Sequence, residues 1–178
     1  AWIDGLGQLV KTATIFPGNA ELGKPSIHGG VCLFSDRDGT LEAMIDFHLL
    51  TKWKTAGDSL LAARKLARLD SRKILLVGAG NVTRSLHAAY SAAFPDAEFT
   101  GWNRSLVKAA KMAAEFPGMI VARDLEAAVG EADIIGTGTM TTDPVLRGKW
   151  LQPGQHLDLI GAYRPDMREA DTDCLRRS

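Results

Sequence analysis

Two periodicities divide the chain. Up to about residue 50, apolar and polar positions alternate in short runs, the spacing of half-buried strands. The run 10–16 (Val10-Lys-Thr-Ala-Thr-Ile-Phe16) carries β-branched residues and stops at Pro17-Gly18-Asn19, a turn signal. A second strand is predicted over 27–34. Asp36-Arg-Asp-Gly39 then makes a hairpin turn, with Asp38-Gly39 supplying positive φ, and 41–47 returns as the next strand. From Leu49 the period lengthens. Leu50, Trp53, Ala56, Leu60, Ala63 and Ala67 recur at helical spacing, predicting a long helix that ends near Asp70-Ser71.

Beyond residue 72 short apolar runs alternate with helical ones. Strands are predicted over 73–77, 98–102, 119–121, 132–137 and 156–160. Helices are predicted over 82–93, 105–115 and 124–130, with a short helical turn near Pro144. Strands spaced by helices of this length predict an α/β fold built on a doubly wound parallel sheet. The chain is thus expected to hold a β-rich part (1–50), a connecting helix (51–71) and an α/β domain (72–178).

In such sheets ligands bind beyond the carboxyl ends of the strands. Gly78-Ala79-Gly80, Asn103-Arg104-Ser105, Thr137-Gly138-Thr139 and Gly161-Ala162 all fall there. The first of these joins strand 73–77 to a helix, the context that a dinucleotide-binding fingerprint requires. Gly78 permits a sharp turn, and Gly80 allows a pyrophosphate close to the backbone. The N–H groups of Asn81 and Val82 face negative charge from a helix N-terminus. Thr83 holds the third small-residue position, so the helix is expected to sit less tightly on its strand. An NAD-selective site carries an acidic residue after the second strand. Asn103 and Arg104 stand there instead, so NADP(H) is the favoured cofactor, with NAD(H) as the alternative.

Composition narrows the classes. The 178 residues hold 21 Lys plus Arg against 21 Asp plus Glu, and no net charge points to nucleic acid or to an anionic membrane surface. No apolar run approaches the roughly 20 residues of a membrane helix. Cys32 and Cys174 stand far apart and outside any Cys-x-x-Cys pair, which suggests a reducing, cytoplasmic setting. The N-terminus carries no secretory pattern, and its missing initiator Met suggests part of a longer chain. The four histidines show no metal spacing, so no metal site is expected. Asp133 and His156 begin strands and belong at the other end of the sheet.

Lys11 shares a strand face with Leu9, Ala13 and Ile15. It reads either as the counter-charge for a substrate carboxylate or as an edge lysine that blocks aggregation, and the pattern alone favours the latter. Lys52 and Lys54 flank Trp53, and spacing alone makes them a solvated face with Trp53 in the core.

Several motifs together resemble the ornithine cyclodeaminase/μ-crystallin family. They are Lys11-Thr-Ala-Thr-Ile-Phe-Pro-Gly-Asn19, Ile45-Asp46 with Leu50-Thr51, Lys54-Thr55-Ala56, Gly78-Ala79-Gly80, Trp150-Leu-Gln-Pro-Gly154, and Ile160-Gly-Ala-Tyr-Arg-Pro165 with Arg168-Glu169. The resemblance covers nearly the whole chain in order. It implies a Rossmann domain beside a β-rich dimerisation and substrate domain, a homodimer, and an NAD(P)-dependent enzyme acting on an amino-acid or imino-acid substrate. It makes Lys11 the residue at the substrate carboxylate. Lys54 stands where the family carries Arg, keeping the charge without the fork. Ser26 and Thr55 match hydroxyl positions near the nicotinamide and phosphates, and Thr137 and Thr139 match the loop above the nicotinamide. The family's cyclodeaminases carry Asp where this chain has Tyr163. The expected reaction is therefore NAD(P)H-dependent reduction of a ketimine or cyclic imino acid. Cyclodeaminase or alanine dehydrogenase activity, and non-turnover NADPH binding of the μ-crystallin type, are the alternatives.

Overall fold

The computed structural model describes residues 1–177 (the side chain of Ala20 excepted). It divides after Lys54 into two compact units. In the first, strands β1 (Trp2–Ile3), β2 (Gly7–Ile15), β3 (Ile27–Phe34) and β4 (Leu41–Ile45) form an antiparallel sheet in that order. A 3₁₀ turn, Pro17–Leu22, joins β2 to β3. The β3–β4 turn is closed by Asp38, whose Oδ1 accepts from the Thr40 amide at 3.1 Å, while Gly39 takes φ +72°. The expected strand 41–47 is shorter because Asp46 begins a helix: its Oδ1 accepts from the Leu49 amide at 2.6 Å. Helix α1 (Phe47–Leu66) therefore starts two residues before Leu49 and ends before Asp70. The division between units falls within it. Trp53, expected in the core, is half exposed, with the Lys52 ammonium 4.6 Å from its ring centroid.

The second unit carries five parallel strands. They are β5 (Lys73–Val77), β6 (Glu98–Trp102), β7 (Ile120–Val121), β8 (Ile134–Thr137) and β9 (His156–Leu159), in the order β7-β6-β5-β8-β9. This is the doubly wound α/β arrangement. Helices α2 (Asn81–Ala93), α3 (Leu106–Ala113) and α4 (Leu125–Glu131) follow β5, β6 and β7. Ser105 caps α3 and Asp124 caps α4 by accepting amide N–H bonds, which sets both starts within a residue of expectation.

The central strand is buried on both faces, as parallel sheets require. Ile74 and Leu76 pack with Leu86, Ala89, Tyr90, Phe99 and Ile134, together with Ala56 and Ala63 of α1. Leu75 and Val77 pack on the other side with Leu125, Val129, Ile135, Leu146 and Cys174. Each of the buried Leu, Ile, Val and Phe side chains contributes about 1.5–3 kcal/mol through burial. At the amino ends of the strands Asp133 accepts from the Arg72 and Lys73 amides (2.8 and 2.9 Å) and from the Arg68 guanidinium (2.7 Å). Burial pushes its carboxyl up, but these donors outweigh it and hold it below the usual range.

Two elements differ from expectation at the end of the chain. The helical turn expected near Pro144 is instead a 3₁₀ turn at Gly148–Trp150. A final helix, α5 (Thr172–Arg177), follows Asp171, whose Oδ1 accepts from the amides of both Cys174 (3.0 Å) and Gly148 (2.9 Å). The same carboxylate thus anchors both elements.

Candidate functional site

The chain leaves β5 toward β6 and returns across it to β8, so the carboxyl ends of β5 and β8 part at the switch in strand order. A cleft of about 440 Å³ opens there. Gly78, Ala79, Gly80, Asn103, Arg104, Ser105, Gly138 and Thr139 line it, with Trp102, Lys108 and Met140. Eight of the expected cofactor residues therefore share one cavity. Among the residues lining it are two cations, Arg104 and Lys108, and no carboxylate. A second cavity of about 290 Å³, against α4 and running to Lys73 and Glu98 at the other end of the sheet, contains none of the expected site residues.

The glycines act differently from one another. Gly78 has φ +116°, and a Cβ there would come within 2.9 Å of the Gly138 carbonyl. Gly80 caps α2 from an extended conformation, and a Cβ on it would meet nothing within 4 Å. No side chain caps α2, so its first amides are open to a ligand. The residues thus fit a dinucleotide pyrophosphate: a turn without side chains, free space over Gly80, a helix N-terminus and cations at the rim. Asn81 and Val82 open that helix. Thr83 is fully buried, and its Oγ1 would lie 2.9 Å from a Cβ on Gly138. The expected loosening at Thr83 is thus offset by a glycine from β8's loop, which makes room for the larger residue.

Two side chains missed in the sequence hold this rim. Arg84 donates to the carbonyls of Ala79 (2.7 Å) and Gly80 (3.2 Å) and pairs through two further nitrogens with Glu115, both at 2.7 Å. Hydrogen bonding to Glu115 raises the Arg84 pKa. Glu169, almost fully buried, accepts from the Thr139 amide and hydroxyl and from the Gly161 amide, each at 2.7 Å. Both pairings join residues about 30 positions apart, so no local pattern reveals them.

Other expected residues fall differently. Thr137 is the last residue of β8 and is fully buried; its hydroxyl donates to the Asp158 carbonyl at 3.2 Å and does not line the cleft. Gly161 presses on Thr139, where a Cβ would lie 2.1 Å from the Thr139 carbonyl oxygen. Ala162 and Tyr163 follow it on the surface, with the Arg164 guanidinium 6.0 Å from the Tyr163 ring centroid. Asn103 donates from Nδ2 to the Ser105 carbonyl at 3.1 Å, bracing the turn that carries Arg104. Thr55 is half-buried in α1.

In the first unit, Lys11 pairs in register with Val31, which pairs with Ile45. Phe47 lies against Gly29, where a Cβ would come within 2.4 Å of its ring. The Lys11 ammonium sits 4.6 Å from the Phe47 centroid. Desolvation lowers the Lys11 pKa, and the neighbouring Lys54 charge lowers it further. Two cations in mutual repulsion on a partly apolar surface suit an anion. Ser26, also in this unit, is half-buried, and its carbonyl accepts from the Phe16 amide at 2.7 Å.

A profile of the ornithine cyclodeaminase/mu-crystallin family matches residues 6–178. The chain belongs to this family. It is 46% identical over 183 residues to a Delta(1)-pyrroline-2-carboxylate reductase of Paracoccus denitrificans, covering 100% of this chain and 58% of that protein. It is 34% identical to the mouse ketimine reductase mu-crystallin over 94% of this chain and 54% of the relative. A solved structure of the Thermococcus litoralis Delta(1)-pyrroline-2-carboxylate reductase, in complex with NADH and L-proline, superposes with a TM-score of 0.86 at 26% identity, over 96% of this chain and 54% of the other. An archaeal alanine dehydrogenase dimer with bound NAD gives the same TM-score and identity over 94% and 53%. The chain thus spans little more than half the length of these relatives.

Proposed function

We propose that this chain is the cofactor-binding and part of the substrate-binding portion of an NAD(P)H-dependent reductase of ketimines or cyclic imino acids. The observation that carries the reading is the cleft at the β5–β8 switch: glycine-walled, cationic and opening on an uncapped helix. The relatives support the substrate class, since two of them are a pyrroline-2-carboxylate reductase and a ketimine reductase. The Lys11 ammonium pairs with the substrate carboxylate, and Lys54 adds positive charge beside it. A dihydronicotinamide held by the cleft would supply the hydride that reduction of an imine carbon needs, with solvent as the source of the proton. Gly78, Ala79, Gly80, Asn81 and Val82 take the pyrophosphate, and Thr139 borders the nicotinamide half.

A second copy of the chain would cover the sheet of the first unit. Val10, Cys32 and Met44 lie in one cross-strand row, with Val10 45% and Met44 77% exposed, an apolar face of the kind that partners bury. The archaeal alanine dehydrogenase, described as a dimer, supports this. Cys32 and Cys174 are both free, in keeping with a reducing, cytoplasmic setting.

Arg104 and Lys108 beside the cleft, with no acidic residue lining it, favour NADPH over NADH. In the full-length protein, fluorescence titration is expected to give tighter binding of NADPH, and absorbance at the dihydronicotinamide band is expected to fall on adding pyrroline-2-carboxylate. Arg104→Ala should erase the preference, costing NADPH about 1.5–3 kcal/mol, the contribution of a hydrogen bond to a charged group. Equal dissociation constants for the two cofactors in the parent protein would refute the NADPH preference. Absence of turnover on any imino acid would refute the reductase reading.

A further inference from the structure

We infer that Glu169 is a positioning residue for the nicotinamide half of the cleft, fastening the loop after β8 to the loop after β9. The inference rests on the cofactor reading above and concerns a residue that does not line the cavity. Glu169 is 2% exposed. Its Oε1 takes both the amide and the hydroxyl of Thr139, and its Oε2 takes the amide of Gly161, all at 2.7 Å. One carboxylate thus joins two loops that no sheet hydrogen bond holds at this height. The loops have also been brought too close for side chains, since a Cβ on Gly161 would lie 2.1 Å from the Thr139 carbonyl oxygen and 2.5 Å from Glu169 Oε1.

The backbone around Glu169 extends the brace. Its carbonyl accepts from the Val145 and Leu146 amides at 2.9 and 3.0 Å, and the Arg168 amide donates to the Thr141 carbonyl at 2.8 Å. Leu146 and Ala170 form a parallel bridge. Residues 168–170 therefore run as a splint along the loop 139–146, and Thr139, Met140, Thr141 and Val145 of that loop form one wall of the cleft. In a doubly wound sheet the adenosine half binds over the first strands, here β5 and β6, and the nicotinamide half over the second set, here β8 and β9. Glu169 accordingly sets the wall that the nicotinamide meets and leaves the adenosine side untouched.

Glu169→Gln keeps the volume but turns an amide donor toward the backbone N–H of either Thr139 or Gly161, each of which can only donate. Three measurements on the full-length protein separate the outcomes. Titration with NADPH or NADH should show affinity weakened about 10–100-fold, the span of one charge-assisted hydrogen bond. Titration with ADP, which occupies only the adenosine side, should be unchanged within about twofold. Hydrogen exchange without ligand should speed at the Thr139 and Gly161 amides while the β5 amides keep their protection. Glu169→Asp, which keeps the charge on a shorter stem, should fall between the parent and Gln. Equal weakening of ADP and of the dinucleotides, or unchanged exchange at Thr139 and Gly161, would overturn the inference. Failure of the parent protein to bind either ligand would instead overturn the cofactor reading, and the exchange result alone would then decide the brace.

Discussion

Lys11→Met is expected to lower kcat/KM for imine reduction by about 10²–10³-fold while leaving NAD(P)H binding unchanged. Truncating one partner of a hydrogen-bonded charge pair costs about 2–5 kcal/mol, and about 1.4 kcal/mol is tenfold in rate or affinity. Methionine keeps an unbranched apolar side chain of similar length beside Phe47, so the substitution removes the charge and little else. The lost cation–π contact, worth about 0.5–1 kcal/mol, is opposed by relief of repulsion from Lys54, so the melting temperature should move by only a few degrees. The glycine cleft lies in the other compact unit, which is why dinucleotide titration serves as the control. Desolvation and Lys54 lower the Lys11 pKa, and carboxylate binding requires the protonated amine. In the parent protein, kcat/KM should therefore decline on the alkaline side before the ordinary lysine range is reached. Unchanged kcat/KM in Lys11→Met would reduce Lys11 to a surface lysine of the sheet.

The parts of this fold that can be read in the sequence are those that local physics decides. Ile74 to Val77 is apolar without alternation because both faces of a central parallel strand are covered, and Gly78 must follow because the turn takes φ +116°. Ser105 and Asp124 announce their helices through caps that span two or three residues. Asp46 sends the same signal, but the β-branched and apolar run before it hides the helix start. The site's rim is legible for a related reason: each strand of this topology ends on the same edge, so counting strands locates the residues that follow them. What remains hidden depends on contacts across the chain. Arg84 carries no local signal of its role, because Glu115, which pairs with it beside the glycine turn, lies 31 residues away. Glu169 belongs to a motif of the resemblance, but its role stays hidden until Thr139 and Gly161 close on it. Thr137 shows the limit of proximity in sequence: two residues before Thr139, it still belongs to β8, and its hydroxyl turns inward to Asp158.

Ornithine is expected to be a non-substrate: full-length protein with catalytic NAD should release no measurable ammonia or proline from it. Cyclodeamination oxidises the amine, closes the ring, expels ammonia and reduces the product, and protons must move at each stage. The resemblance assigns that work to an Asp at the position of Tyr163. A phenol is a far weaker acid than a carboxylic acid and does not replace a carboxylate as a base. Tyr163 is half exposed and stacks loosely against Arg164, and the nearest carboxylate in sequence, Asp166, is paired with Arg164 at 3.1 Å. General-base assistance is worth roughly 10²–10⁴-fold. Its loss is expected to slow cyclodeamination by that factor, while reduction of a preformed ketimine requires only an oriented hydride donor and a held carboxylate. Tyr163→Asp supplies the complementary test: a gain of ammonia release would show that this single position separates the two reactions. Stoichiometric ammonia and proline from the parent protein would refute the reductase assignment and make the chain a lyase with its base elsewhere.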